Sequence, residues 1–210
     1  MIDNFISKLE KELLKGLPGK SAQERMSPTV RFTGFMLPDK TKAKSSGVLI
    51  LLYPKNSGVA TVFIERTAFG PHGGQISLPG GKKEKNDSSL IATALRETSE
   101  ELGIDVSSIH VLGELSSLYV PNSNFNIFPV VAYQDIIPKM SKEDKEVKSI
   151  IEIGLSELFH PDNKGVKSFI KSGYNIEAPY YNANGHVIWG ATAMIMSELE
   201  VVLNKNGILS

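Results

Sequence analysis

The sequence contains no cysteine and a single tryptophan among its 210 residues. The absence of cysteine excludes disulfide bonds, thiolate nucleophiles and zinc sites built on sulfur. Neither sign of charge is in excess, because 23 basic side chains balance 23 acidic ones. No global electrostatic field therefore favours nucleic acid or a membrane as a partner, and any affinity for phosphate must be local.

Long apolar runs are also missing. The first 14 residues place apolar side chains at helical spacing among charges, without the uninterrupted stretch of a signal peptide or a membrane span. We therefore expect a cytoplasmic protein whose N-terminal helix packs on the domain or on a second subunit, as in a homodimer; a membrane-surface helix is the alternative. Residues 1–45 are predicted to form this helix and an irregular lead-in, and residues 46–210 one domain.

Apolar runs bounded by turn residues predict a chain rich in strands. Strands are expected at 48–53, 60–66, 111–117, 127–133 and 148–153, with shorter pieces near 166–170, 175–180 and 186–189. Helices are expected at 88–102 and 191–203. Because helices flank the strands, the predicted fold class is α/β (α+β), with a mixed β-sheet between helices in an α/β/α sandwich.

An acidic run inside the helix expected at 88–102 is the strongest functional signal. At about 100° per residue, Glu97, Glu100 and Glu101 share one arc, and the apolar side chains share another. Glutamates three and four residues apart bring their oxygens together, which suits Mg²⁺ or Mn²⁺. Arg96 lies four residues before Glu100 and can hold or neutralise it. The alternative is a solvated face of ordinary ion pairs.

A glycine turn precedes this helix. Residues 72–82 read His-Gly-Gly-Gln-Ile-Ser-Leu-Pro-Gly-Gly-Lys, which places a Pro-Gly-Gly break between a short strand-like piece and a polar loop. Glycine lets the backbone approach a ligand closely. Asp87 or Ser88 is expected to cap the helix, and Gly103 to end it in the left-handed conformation.

The order of strand, glycine turn, loop and acidic helix resembles the Nudix box of hydrolases that cut a nucleoside diphosphate linked to another group. In the usual box a glutamate stands where Asp87 stands here, and the interval to the Arg-Glu pair is one residue shorter. One branch, similar to coenzyme A pyrophosphatases, shows this variant spacing, and residues 79–82, 94–97 and 100–101 match it. The resemblance runs from about residue 47 to 203, although segment 69–72 is shorter and less basic than in many coenzyme A members.

The resemblance implies metal-assisted hydrolysis of a pyrophosphate. Glu97 and Glu101 are expected to bind Mg²⁺ or Mn²⁺ together with Gly81, and Glu100 to add a further ligand or to orient the attacking water. Arg96 is counted with the catalytic residues because it belongs to the same motif. The best candidate for a general base outside the helix is Glu146, in a segment resembling the acidic loop of many Nudix enzymes; the alternative is a solvated loop charge.

Substrate contacts are predicted from side-chain chemistry. Arg66 and Lys82 are expected to meet phosphates, and Arg66 suits them better because its fork of donors matches phosphate oxygens. Tyr119 and Phe125 could stack on adenine or pack against pantetheine, or simply fill the core. His72 could donate to a phosphate or order the turn.

The implied substrate is coenzyme A, which would be cleaved to 3′,5′-ADP and 4′-phosphopantetheine. Two alternatives stay open. One is a broader hydrolase of ADP-ribose, dinucleotides or nucleotide sugars, and the other is a catalytically silent module that binds a nucleotide without cutting it. In each case the partner is a small nucleotide, with no nucleic acid and no membrane.

Overall fold

The computed structural model describes residues 2–30, 38–56, 58–68, 73–171, 174–205 and 207–209. The helices are α1 (Ile2–Leu13), α2 (Lys20–Gln23), α3 (Leu90–Leu102), α4 (Leu155–Leu158) and α5 (Ala191–Asn204). The strands are β1 (Thr29–Val30), β2 (Lys44–Lys55), β3 (Gly58–Arg66), β4 (Ile76–Ser77), β5 (Gly80–Lys82), β6 (His110–Glu114), β7 (Leu118–Val120), β8 (Phe125–Tyr133), β9 (Val147–Gly154), β10 (Lys164–Lys171), β11 (Tyr174–Ala183) and β12 (His186–Trp189). Among these helices none is long and apolar enough to cross a membrane.

The described strands form two sheets. The larger sheet has the order β4-β3-β2-β8-β6, with β5 on β2, β7 on β8 and β9 on β3. It is mixed, because β2 and β8 run parallel whereas the other pairs are antiparallel. The smaller sheet is antiparallel, has the order β1-β11-β10 and carries β12 on β11. The predicted mixed sheet is confirmed, and the three short strands expected after residue 165 belong to the smaller sheet.

Strand β2 separates two layers of core. Its side chains alternate between the faces of the sheet, so that Ile50 and Leu52 join a cluster with α1 and α5. Leu49 and Leu51 point the other way, into a cluster that includes Ala94 of α3. The larger sheet therefore lies between α3 and the two terminal helices, as the sandwich prediction required.

Helix α3 docks very close to β2. A Cβ atom on Gly47 would lie 2.3 Å from the carbonyl oxygen of Leu90, so only glycine allows this approach. The helix is capped by Ser89, whose hydroxyl accepts a hydrogen bond from the Ala92 N–H at 3.0 Å. The expectation that Asp87 or Ser88 would cap it is wrong by one or two residues. The stop at Gly103, with φ of 64°, is confirmed.

The N-terminal segment is tied to α5. Glu198 is fully buried and accepts hydrogen bonds from the Gly19 N–H at 3.0 Å, from Gln23 Nε2 at 2.9 Å and from the Ser116 N–H at 3.3 Å. Leu9 of α1 lies in the same core cluster as α5. The boundary drawn between residues 45 and 46 stays a prediction.

Candidate active site

The larger sheet opens at one end, and the glycine turn enters the opening. Strands β2 and β3 pair only near their hairpin, from the Leu52–Thr61 pair to the Lys55–Gly58 pair. Beyond it, β2 pairs with β5 and β3 pairs with β4. The turn that links β4 to β5 thus lies between the two diverging strands, directly beneath α3.

Glu101 is buried at the centre of this opening, with 2% of its surface exposed. Its carboxylate accepts a hydrogen bond from the Gly80 N–H at 2.8 Å and another from Arg66 Nη1 at 3.2 Å. Burial raises the pKa of Glu101 to about 7; these two donors oppose that rise, whereas the negative charges of Glu97 and Glu146 add to it. Glu101 therefore joins the helix, the glycine turn and the end of β3.

Glu97 lies one helical turn earlier, against the second glycine of the turn. A Cβ atom on Gly81 would lie 2.4–2.5 Å from the Glu97 carboxyl group, so a side chain there would displace the carboxylate. Burial raises the pKa of Glu97, Arg96 lowers it, and the charges of Glu100 and Glu146 raise it again. The carboxylate is thus held in a partly desolvated place among other negative charges.

Arg96 fastens the polar loop to the helix. Its Nε and Nη2 atoms donate to the two Asp87 oxygens, each at 3.0 Å, while Nη1 donates to Glu100 at 2.8 Å. Nη2 also lies 3.0 Å from Glu97 and donates to the Lys82 carbonyl oxygen at 3.3 Å. The Arg96 guanidinium holds the pKa of Asp87 well below its usual range, with help from the Glu84 N–H. These contacts give Arg96 a positioning role, and its catalytic role stays a prediction.

Glu146 is held at the same end of the sheet. Its carbonyl oxygen accepts from the Thr67 N–H at 3.0 Å, and the Thr67 hydroxyl donates to the Lys145 carbonyl oxygen at 3.0 Å. Thr67 directly follows Arg66 in the chain. The Glu146 side chain is exposed, and its charge raises the pKa of Glu97 and Glu101. This placement suits a base that faces solvent, a role that stays a prediction.

The acidic residues do not form a converged metal site as they stand. Within the described ranges, no group of three or more acidic or histidine side chains is placed to hold an ion. Instead, Arg96 contacts Glu97 and Glu100, and Arg66 contacts Glu101. The chemistry of the donor set nevertheless fits Mg²⁺ or Mn²⁺, because oxygen ligands of like charge lie close together beside a turn that leaves space.

The predicted substrate residues divide into three groups. Arg66 is partly exposed and in the opening, whereas Lys82 is exposed at its rim. Tyr119 and Phe125 are half-buried on β7 and β8, on the far side of β2. His72 lies outside the described residues. All of these roles stay predictions.

Sequence reasoning missed two residues that shape the site. The fully buried Thr93 donates from its hydroxyl to Asp87 at 2.9 Å and so helps Arg96 to hold the loop. Gly47 allows α3 to reach β2. A glycine inside an apolar strand is a known sign of close backbone approach and could have been noticed; nothing in the local pattern marks Thr93.

Comparison with known proteins identifies close relatives. Residues 43–170 match the model of the NUDIX domain. The chain is 32% identical over 177 residues to the mitochondrial coenzyme A diphosphatase NUDT8 of Mus musculus, covering 80% of this chain and 81% of the mouse protein. It is 34% identical over 152 residues to the Homo sapiens protein of the same name, covering 71% of this chain and 61% of the human one. A MutT/nudix family protein from Enterococcus faecalis shares the fold, with a TM-score of 0.53 at 20% identity over 80% of this chain and 65% of that one.

Proposed function

This chain belongs to the Nudix hydrolase family and is a pyrophosphohydrolase, and from this premise we propose that it cleaves the pyrophosphate bond of coenzyme A or a derivative. The products are 3′,5′-ADP and 4′-phosphopantetheine, and the cofactor is Mg²⁺ or Mn²⁺. The names of the mouse and human relatives support this substrate. A cytoplasmic location and a homodimer stay predictions, and both mammalian relatives are named as mitochondrial proteins.

One observation carries the proposal. Glu101 is buried between the Gly80 N–H and Arg66, while Glu97 covers Gly81 four residues earlier on the same helix. A buried carboxylate with a raised pKa, close to other negative charges, is typical of a functional site. Both glutamates whose pKa is raised by burial, Glu97 and Glu101, lie beside this one glycine turn.

We assign a role in the reaction to each of these residues. Glu97 and Glu101 would hold the metal, with Glu100 as a further ligand; when bound, such an ion polarises diphosphate oxygens and lowers the pKa of water. Arg66 donates one hydrogen bond to Glu101 through Nη1, and its other N–H groups would bind the diphosphate. Glu146 would accept the proton of the attacking water on a carboxylate oxygen.

The silent binding module is the less favoured alternative. A relative that only binds would be expected to have lost at least one of the three glutamates or Arg96, and all four are present. Ion pairs also hold three of them together, because Arg96 contacts both Glu97 and Glu100.

A substrate panel tests the proposal. Purified protein with Mg²⁺ or Mn²⁺ is incubated with coenzyme A, ADP-ribose, diadenosine polyphosphates and nucleotide sugars, and the products are identified by mass spectrometry in heavy-oxygen water. We expect the highest kcat/KM for coenzyme A, with products as named above. Equal turnover of ADP-ribose and coenzyme A would replace this assignment with the broader hydrolase, and no turnover of any substrate would favour the silent module.

A further inference from the structure

Strand β10 forms an edge of the smaller sheet that no described strand covers. Its eight residues pair with β11 along their whole length, without an irregularity in register. On its other side β10 has no neighbour among the described strands. The edge strand β6 of the larger sheet differs, because its register with β8 shifts between Val111 and Gly113, and such a bulge hinders pairing with a further strand. The edge of β10 therefore offers regularly spaced backbone N–H and C=O groups to another strand.

Two apolar side chains are exposed on one face of this edge. Val166 is 67% exposed and Ile170 is 78% exposed, and Ser168 lies midway between them. Because alternate residues of a strand share a face, all three side chains project from the same face of the smaller sheet. Edge strands are often protected by proline or by a bulge, and β10 contains neither. A partner strand would cover both the apolar side chains and the backbone groups beside them.

The sequence of β10 is complementary to itself about Ser168. When two copies of β10 pair antiparallel around a two-fold axis at this residue, Val166 of each copy lies directly opposite Ile170 of the other. Apolar side chains that lie directly opposite each other stabilise a pair of strands. The four side chains also share one face, so that they form a single apolar patch across the two copies.

The lysines of β10 favour the same register. With the axis at Ser168, Lys167 lies opposite Phe169. Lys171 then lies opposite Gly165, so that no two lysines of the eight residues oppose each other. A shift by two residues would place Lys167 opposite either Lys167 or Lys171 of the second copy, and like charges directly opposite are destabilising. A shift by one residue would join the apolar face of one copy to the other face of its partner.

We propose that β10 pairs with β10 of a second copy of this chain in this register, which joins the two smaller sheets into one sheet of eight described strands. The homodimer thus uses β10 rather than α1, whose Leu9 is buried within its own domain. A single pair of short strands is small beside the roughly 1,200–2,000 Å² of a typical stable interface. We therefore expect a weak dimer, with a Kd on the order of 10–100 µM. The pairing uses neither α3 nor the glycine turn, so it is independent of the proposed function.

Sedimentation equilibrium of the full chain, without substrate or metal, tests the pairing. Val166→Glu and Ile170→Lys each place a charge opposite an apolar side chain, and each should raise the Kd of the dimer at least about tenfold. The double variant Val166→Glu/Ile170→Lys places opposite charges across the interface, and its Kd should return to within about threefold of the wild-type value. High salt should weaken the dimer of the double variant more than that of the wild type. The control Val111→Glu changes an exposed apolar side chain of β6 and should leave the Kd unaltered.

Several results would overturn the inference. A wild type that stays monomeric up to about 1 mM, tenfold above the expected range of Kd, has no such dimer. If neither single variant weakens the dimer, the interface lies on another surface, and a double variant that dimerises no better than the single ones excludes this register. Hydrogen exchange of the wild type needs no variant: amides of β10 should exchange more slowly as protein concentration rises, and those of β6 should not. Thermal unfolding of each variant verifies that it is folded.

Discussion

Replacing Glu101 by glutamine tests whether ionisation of this buried carboxylate lowers the stability of the protein as pH rises. Burial raises the pKa of Glu101 from its ordinary 4.5 to about 7. At a pH between these two pKa values, Glu101 keeps its proton in the folded protein and loses it in the unfolded chain. The free energy of unfolding therefore falls as pH rises through this window, and the loss is complete above the folded-state pKa.

The size of this effect follows from the shift. A rise from 4.5 to about 7 corresponds to about 3 kcal/mol, of which about 2.5 kcal/mol falls between pH 5 and pH 8. Glutamine keeps the shape of Glu101 and an oxygen for the Gly80 N–H, but it cannot ionise. The variant should therefore lack this contribution to the pH dependence of stability.

Urea unfolding measures the difference. The single tryptophan, Trp189, is half-buried and provides a fluorescence signal. In metal-free buffer, the stability of the wild type relative to Glu101→Gln should fall by about 2.5 kcal/mol between pH 5 and pH 8. Adding Mn²⁺ at pH 8 should stabilise the wild type more than the variant, because a carboxylate binds the ion better than an amide does. The reasoning is refuted if the two proteins differ by the same amount at both pH values.

Three further substitutions test other parts of the site. Glu100→Gln should lower the turnover of coenzyme A at least ~100-fold, because a metal ligand or the group that orients the water is lost. Gly81→Ala should lower kcat at least about tenfold without preventing folding, because its methyl group displaces the Glu97 carboxylate. Arg96→Lys should lower the midpoint temperature of unfolding, because lysine cannot make two parallel hydrogen bonds to Asp87.

Matched controls sharpen these comparisons. Glu157→Gln changes an exposed glutamate of α4 and should leave turnover unaltered. Gly58→Ala adds a methyl group where no atom lies within 4 Å, so a loss equal to that of Gly81→Ala would contradict the steric reasoning. Unchanged turnover in Glu100→Gln would show that Glu100 takes no part in the reaction. An unchanged midpoint temperature of unfolding in Arg96→Lys would show that the contact between Arg96 and Asp87 does not stabilise the fold.

Long elements could be predicted because their patterns are local. The strand expected at 60–66 is observed at 58–66, and the helices expected at 88–102 and 191–203 are observed at 90–102 and 191–204. Strands β1, β5 and β7 were not predicted, since each has only two or three residues, whereas β4 lies where a short strand-like piece was expected before the glycine turn. They exist because neighbouring strands offer free backbone groups, as when Val48 pairs with Gly80, and no short window of sequence contains that information.

In the candidate site, too, local patterns could be predicted from the sequence and long-range contacts could not. Helical periodicity predicted that Glu97 and Glu101 share one face of α3, because i and i+4 positions lie on the same side, and in the structure that face meets the glycine turn. It could not reveal that Glu101 is buried, because the covering groups come from Gly80 and from Arg66, which is 35 residues away in the chain. The contact between Asp87 and Arg96 was likewise invisible, since it depends on how the loop folds back.

The hydrogen bonds of Glu198 decide how far this enzyme can be shortened. A fragment that starts at residue 43, where the family match begins, would lack Gly19 and Gln23 and would strip a buried carboxylate of two of its three donors. Such a loss costs several kcal/mol, and removing α1 would also uncover the apolar surface under Leu9. The smallest version that folds unaided should therefore retain the first 23 residues.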